Sequence, residues 1–210
     1  PGPGSFTSIA TTNAAAIDAA IASRPHAANR PWASGWKRSD RRRDGTVSPE
    51  IGYMYDAGRY EVFPWSGPAI RRINRSGLYA VLVTNQSGVA RGYYTEADVR
   101  ALHDWMRARL AQDGARVDDL RYCPHHPQAE IAEYRRACDC RKPAPGMLRS
   151  LIDEWNVDAE QSAMIGDKEI DMAAARAVGV EGLLYDGRTP LPDVVAGWLA
   201  ARHRWHPAPG

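Results

Sequence analysis

Short apolar runs alternate with helix-like segments along the chain from Asp44 onward. The runs at 78–83 (LYAVLV) and 162–165 (SAMI) are short and mostly apolar, which is typical of strands buried on both faces of a parallel sheet. Between them, Val99, Leu102, Met106 and Leu110 recur at helical spacing, and a capping residue, Thr95, precedes them. This alternation predicts an α/β fold with a doubly wound, mostly parallel sheet and no large cap domain.

The first 42 residues differ from the rest of the chain. Residues 12–22 are rich in alanine and predict a short helix, whereas residues 25–43 have no periodic apolar face and predict loop or disorder. Further helices are predicted at 66–75, 147–155, 170–178 and 192–201, and further strands at 120–123 and 182–185. We therefore expect an irregular or non-native segment at 1–42, an α/β domain at 43–190, and a C-terminal helix and tail at 191–210.

Composition narrows the function classes. The 210 residues carry a formal net charge of only +2, which does not indicate a nucleic-acid-binding surface. No apolar run is long enough to span a membrane, and the three cysteines do not indicate a disulfide framework. We expect a cytoplasmic monomer that acts on a small molecule and binds neither nucleic acid nor membrane.

A group of cysteine and histidine residues predicts a metal site. Cys123, His125, Cys138 and Cys140 follow the pattern C-x-H-x12-C-x-C, which uses every cysteine of the chain. Thiolate and imidazole are the ligands that Zn²⁺ prefers, and four of them close a tetrahedral structural site. The alternatives are ordinary thiols beside a surface histidine, or His126 as the imidazole ligand. We expect a zinc-bound loop at 123–140.

Three polar clusters follow the predicted strands. They are Thr84, Asn85, Gln86 and Ser87, then Arg141 and Lys142, then Asp167, Lys168 and Asp171. The ends of parallel strands meet at one edge of a sheet, where active sites lie. The first cluster can cradle a phosphate or form a plain polar turn. Asp167 can bind Mg²⁺ or cap a helix, and Asp171 is either a second acidic ligand or a solvated residue of the first helical turn. Asp44 can transfer protons or belong to a plain Asp-Gly turn.

The order of these motifs resembles the haloacid dehalogenase (HAD) superfamily of phosphatases. The motifs are D-G-T from Asp44, T-N-Q-S-G from Thr84, R-K-P from Arg141 and G-D-K-x-x-D ending at Asp171. With C-P-H-H-P and C-D-C inserted, the chain resembles the branch of the D-glycero-D-manno-heptose 1,7-bisphosphate 7-phosphatases. Histidinol-phosphatases are close relatives of that branch. The resemblance covers about residues 43–190.

The resemblance implies a HAD-like fold and a role for each matching residue. In the family, one aspartate forms a phosphoaspartate, a second transfers protons, and Mg²⁺ offsets the negative charge. Asp44 would be the acid and base and, with Asp167, a Mg²⁺ ligand, and Lys142 would stabilise the phosphate charge. The substrate, a phosphosugar, would be bound by Thr84, Asn85, Gln86, Ser87, Arg141, Lys168, Gly52 and Tyr53.

This chain departs from the family at the nucleophile. The family has an apolar strand and then D-x-D-G-T, whereas here Arg42 stands two residues before Asp44. Arginine cannot form an acyl phosphate, and loss of a nucleophile costs about a millionfold in other enzymes. A guanidinium about 4 Å from the doubly charged Mg²⁺ would be repelled by about 8 kcal/mol at an effective dielectric of about 20. Asp40 lies four residues before Asp44 rather than two, so it would need a different backbone path to serve as the nucleophile.

Three hypotheses account for Arg42. The residues before Arg43 could come from an altered reading frame or start, since the match begins abruptly there. The chain could be a noncatalytic phosphosugar-binding protein. A different strand register could recruit another acid. We therefore expect weak phosphatase activity from the chain as written, on heptose bisphosphate or, alternatively, on histidinol phosphate.

Overall fold

The computed structural model describes residues 14–16, 22–25, 46–48 and 61–203. Strands β1 (Ala14–Ala16), β2 (Ala22–Pro25) and β3 (Ser76–Asn85) precede β4 (Asp119–Cys123), β5 (Ala163–Gly166) and β6 (Glu181–Leu184). The helices are α1 (Ser66–Arg75), α2 (Ser87–Ala90), α3 (Glu96–Gln112), α4 (Gly146–Trp155), α5 (Glu169–Arg176) and α6 (Leu191–His203). A 3₁₀ turn covers Ala132–Tyr134.

The sheet is mostly parallel, as predicted. β1 and β4 run parallel to β3, and β6 runs parallel to β5, whereas β2 pairs antiparallel to β3. β1 also contacts β5, so it lies between the strand that ends at Asn85 and the strand that ends at Gly166. The carboxyl ends of β3, β4 and β5 therefore share one edge, and the predicted α/β fold with a mostly parallel sheet is confirmed for the described residues.

The core lies between this sheet and the helices on its faces. Ile70 and Ile73 of α1 and Leu110 of α3 pack with Met164 and Ile165 of β5, and all five are fully buried. α6 closes one side, where Trp198 is 6% exposed and its indole N–H donates to Glu181 Oε2 at 2.7 Å. The apolar residues from which the strands and helices were predicted thus fill the interior.

The cap of α3 forms as the sequence predicts. Thr95 Oγ1 accepts from the Asp98 N–H at 3.2 Å, and the Thr95 N–H donates to Asp98 Oδ2 at 2.7 Å. This capping box satisfies two N–H groups that the first turn would otherwise leave unpaired. It fixes where α3 begins, next to the loop that contains Cys123 and His125.

The N-terminal prediction is wrong in part. The sequence predicts a helix over residues 12–22, but Ala14–Ala16 is a strand with Ala14 opposite Tyr79 and Ala16 opposite Val81. Alanine has a high helix propensity, but a short segment takes the conformation that its neighbours stabilise. Residues 26–43 lie outside the described residues, and the domain limits at 42, 43, 190 and 191 stay predictions.

Among the described residues, no helix has the length and apolar character that a membrane span requires.

Candidate active site and metal centre

The predicted phosphate-binding residues lie where β3 ends. Thr84 and Asn85 are the last residues of β3, and Gln86 and Ser87 lead into α2. All four are half-buried. Thr84 and Asn85 thus belong to the strand rather than to the predicted turn, which begins at Gln86.

Asn85 joins this strand end to the Lys142 loop. Its Nδ2 donates to the Lys142 carbonyl at 2.9 Å, and its Oδ1 accepts from the Lys142 N–H at 3.0 Å. These reciprocal hydrogen bonds hold the backbone of residue 142 beside β3. Asn85 therefore positions the Lys142 loop, a role that the sequence analysis did not assign to it.

Lys142 and Asp171 form a buried ion pair. Lys142 Nζ lies 2.6 Å from Asp171 Oδ1 and donates to the Val83 carbonyl at 3.0 Å. Lys142 is 3% exposed and Asp171 is 1% exposed. The expectation of a solvated Asp171 is therefore wrong, because its carboxylate faces the interior and neutralises the ammonium group. Asp171 lies three and four residues before Ala174 and Ala175, so helical spacing places it on their face of the helix, and this was the available signal of burial.

The same carboxylate joins the loop of Asp167 to this pair. Asp171 Oδ2 accepts from the Lys168 N–H at 3.2 Å. An ideal Cβ on Gly166 would lie 2.6 Å from that oxygen, so only glycine leaves room for the Asp171 side chain. Asp167 stands between Gly166 and Lys168 in the sequence and is half-buried. The three strand-end clusters therefore meet through Asn85, Lys142 and Asp171.

The predicted metal ligands converge at the end of β4. The ligand atoms of Cys123, His125, Cys138 and Cys140 all lie within 4.8 Å of one another. Cys140 Sγ is 3.2 Å from Cys123 Sγ and 3.3 Å from both Cys138 Sγ and His125 Nδ1. His126 is not in this group, and its Nδ1 accepts from the Gln128 N–H at 3.1 Å.

The donor set fits Zn²⁺. A zinc–sulfur bond of about 2.3 Å in a tetrahedron separates two sulfur atoms by about 3.8 Å, so a small outward shift of the thiols would admit the ion. Burial raises the pKa of the Cys123 and Cys140 thiols, so both are protonated without a cation. Burial, with Arg136 nearby, lowers the pKa of His125 and favours the neutral imidazole that a metal requires.

A carboxylate anchors the cysteine loop to α3. Glu96 accepts hydrogen bonds from the Tyr134 hydroxyl at 3.0 Å and the Tyr122 hydroxyl at 2.6 Å. The Ile131 N–H also donates to the Ala90 carbonyl at 3.1 Å. Sequence reasoning missed Glu96, which looks like an ordinary acidic residue in the first turn of a helix.

Arg141 lies between the two centres. It directly follows the ligand Cys140 and precedes Lys142, and its Nη1 donates to the His125 carbonyl at 3.2 Å. Arg141 is half-buried, whereas Lys168 is exposed. The cysteine loop therefore determines where Arg141 lies beside the strand-end site.

Asp44, Gly52 and Tyr53 lie outside the described residues, as does Arg42. Thr46, the last residue of the D-G-T motif, is described and is 1% exposed.

Known proteins share the fold and the sequence of this chain. A family model described as HAD-hydrolase-like matches residues 139–197. A D-glycero-β-D-manno-heptose-1,7-bisphosphate 7-phosphatase of Rhodopseudomonas palustris is 46% identical over 145 residues, which are 69% of this chain and 81% of that protein. The phosphatase of the same name from Escherichia coli K12 is 43% identical over 161 residues, covering 75% and 84% of the two chains.

Solved structures agree with these relatives. A HAD-like phosphatase from Mesorhizobium loti superposes with a TM-score of 0.69 at 31% identity, covering 75% of this chain and 83% of that chain. A D,D-heptose 1,7-bisphosphate phosphatase from B. bronchiseptica, solved with magnesium and phosphate, gives a TM-score of 0.64 at 31% identity. That match covers 74% of this chain and 93% of the other.

Proposed function

The chain belongs to the HAD-like phosphatases, in the branch of the heptose bisphosphate phosphatases, and we propose that it acts on the 7-phosphate of D-glycero-D-manno-heptose 1,7-bisphosphate. The relatives are named for this reaction. The observation that carries the proposal is the buried Lys142–Asp171 pair at 2.6 Å, held beside Asn85 at the edge of the sheet. A buried cation at the meeting point of three strand ends is suited to a phosphoryl group.

The phosphate would be bound by groups of β3, the Lys142 loop and the end of β5. The Thr84 hydroxyl and the backbone around Ser87 would donate hydrogen bonds to its oxygens. The Lys142 ammonium group, whose orientation is fixed by Val83 and Asp171, would stabilise the charge that develops on them. Gln86, Arg141, Lys168, Gly52 and Tyr53 would surround the sugar and determine its orientation.

Two metal ions fit the donor sets. Asp167, with Asp44, offers the carboxylate oxygens that Mg²⁺ prefers, and Mg²⁺ would offset the repulsion between carboxylates and phosphate. Asp171 is not proposed as a ligand because it is paired with Lys142. Zn²⁺ would occupy the four cysteine and histidine ligands in a structural role, since four protein ligands leave no open position for chemistry.

Arg42 limits the chemistry that we propose. In this account Asp44 transfers protons, and a phosphoaspartate would need an acid that Arg42 does not provide. We therefore propose slow hydrolysis by the chain as written. A noncatalytic phosphosugar-binding protein is the second candidate, and it is favoured by Arg42 alone. The monomeric state and the cytoplasmic location stay predictions.

Phosphate release tests the proposal. The chain would be compared with a variant that carries Arg42→Asp and apolar residues at 37–41, each with Mg²⁺ and either heptose 1,7-bisphosphate or histidinol phosphate. We expect slow release from the heptose substrate by the chain as written and much faster release by the variant. Preferential hydrolysis of histidinol phosphate would overturn the substrate assignment. Thermal stabilisation by heptose bisphosphate with no release from either protein would favour the binding protein.

A further inference from the structure

We propose that Tyr94 is a positioning residue whose hydroxyl group holds Gln86 and, through it, orients the Thr84 hydroxyl toward a phosphate oxygen. This inference rests on the proposed function, because it concerns the same phosphate site. Tyr94 lies outside the motifs from which that site was assigned. Loss of the Tyr94 hydroxyl group would lower the affinity of the site for phosphate.

A chain of side-chain hydrogen bonds connects the three residues. The Tyr94 hydroxyl donates to Gln86 Oε1 at 2.7 Å, and Gln86 Nε2 donates to Thr84 Oγ1 at 3.4 Å. The backbone of Gln86 is restrained as well, since its N–H donates to the Cys123 carbonyl at 2.8 Å and its carbonyl accepts from Val89. Gln86 is therefore held at both its backbone and its amide.

The ring of Tyr94 packs tightly against the turn after β3. Tyr94 is 8% exposed and packs with Val89 and Val99. An ideal Cβ on Gly88 would lie 2.3 Å from the ring, so this packing requires glycine at residue 88. The Tyr93 N–H closes the turn by donating to the Gly88 carbonyl at 2.9 Å. The position of the Tyr94 hydroxyl is therefore fixed by packing, independently of its hydrogen bond.

The direction of these hydrogen bonds has a chemical consequence. A threonine hydroxyl has a single proton to donate and lone pairs that accept. Since Thr84 Oγ1 accepts from Gln86, its own O–H is directed away from that amide and can donate to a phosphate oxygen at the edge of the sheet. Tyr94 orients the Gln86 amide because its O–H donates to the carbonyl oxygen, which leaves the NH₂ group facing Thr84.

Phosphate binding tests the inference. Inorganic phosphate would be titrated into the full chain with Mg²⁺ by isothermal titration calorimetry, for the wild type, Tyr94→Phe and the control Tyr93→Phe. Tyr93 is the neighbouring tyrosine and is 48% exposed. We expect Tyr94→Phe to raise the Kd about three- to tenfold, the effect of one net hydrogen bond. We expect Tyr93→Phe to bind like the wild type.

A double-mutant cycle separates positioning from loss of packing. Gln86→Ala removes the connection and leaves the Tyr94 ring in place, so it should weaken phosphate binding by a similar factor. The variant with both substitutions should bind no more weakly than Gln86→Ala alone. Additive losses, or a Tyr94→Phe variant with the wild-type Kd, would overturn the inference and leave the proposed function intact. A wild-type chain that binds no phosphate would overturn both.

Discussion

At the scale of single residues, the site depends on the contact between Lys142 and Asp171. Both side chains are almost fully buried, so both charges are desolvated and paired with each other. Desolvation of two charges is costly, and the pair offsets this cost only while both partners are present. The contact therefore connects the stability of the fold to the position of the cation.

Substitution of one partner should destabilise the fold more than substitution of both. Lys142→Met or Asp171→Leu alone leaves a buried unpaired charge and should lower the free energy of unfolding by about 3–5 kcal/mol. The double variant carries no buried charge and should recover much of that loss. Urea denaturation of the three variants and the wild type measures these differences. If the double variant loses the sum of the two single losses, the buried ion pair is not the main contribution of these residues.

His103 should make stability depend on pH. Burial, with Arg107 nearby, lowers the pKa of His103 to about 4, and its ring makes an edge contact with Tyr122. Below the ordinary value of about 6.5 the unfolded chain binds a proton at this residue while the folded chain does not. The free energy of unfolding should therefore fall as pH decreases from about 6.5 to about 4, by about 3 kcal/mol.

A variant without the imidazole isolates this contribution. His103→Leu should lose less stability than the wild type across the same pH range, whatever its stability at neutral pH. Chemical denaturation at several pH values between 7 and 4 gives both profiles. Parallel profiles would show that His103 ionises in the folded protein as readily as in the unfolded chain.

At the scale of structural elements, the loop at 123–140 depends on the metal that its ligands fit. Cys138→Ser should abolish zinc binding, lower the melting temperature and speed tryptic cleavage near Arg135 and Arg136. The reason is that without the ion only contacts such as Tyr134 to Glu96 still hold the loop. His126→Ala is the matched control, because His126 lies in the same loop but outside the ligand group.

Metal content and melting temperature measure both variants. Purified His126→Ala should contain one zinc per chain, as the wild type should, and Cys138→Ser should contain none. If Cys138→Ser retains its zinc, or if His126→Ala loses it, the assignment of the four ligands is wrong.

Local patterns predict most elements from α1 to α6. The buried strand β5, predicted at 162–165 and found at Ala163–Gly166, follows from an apolar run, and the Thr95–Asp98 capping box follows from N-cap chemistry. Both signals act within a few residues. The β1 strand did not follow from its sequence, because pairing with β3 decides its conformation. The role of Asn85 was also hidden, since the backbone it bonds is at residue 142, far along the chain.

At the scale of the whole molecule, the fold brings four distant parts of the chain to one place. Thr84 and Asn85 end β3, Cys123 ends β4, and Gly166 ends β5, with Lys142 between them. The sequence order of the motifs predicts that they meet, because parallel strands end at a common edge. The N-terminal strand β1 is the exception, because the order of the motifs does not predict its place. It pairs with β3 and also contacts β5.

The central claim is that these strand ends form one phosphate site beside a divalent cation. Titration of the ¹⁵N-labelled chain with inorganic phosphate and Mg²⁺, followed by NMR, tests it directly. We predict that the backbone signals of Thr84, Ser87, Lys142, Asp167 and Lys168 shift together and saturate with a single Kd. Shifts confined to other parts of the chain, or separate dissociation constants for the three clusters, would contradict the claim.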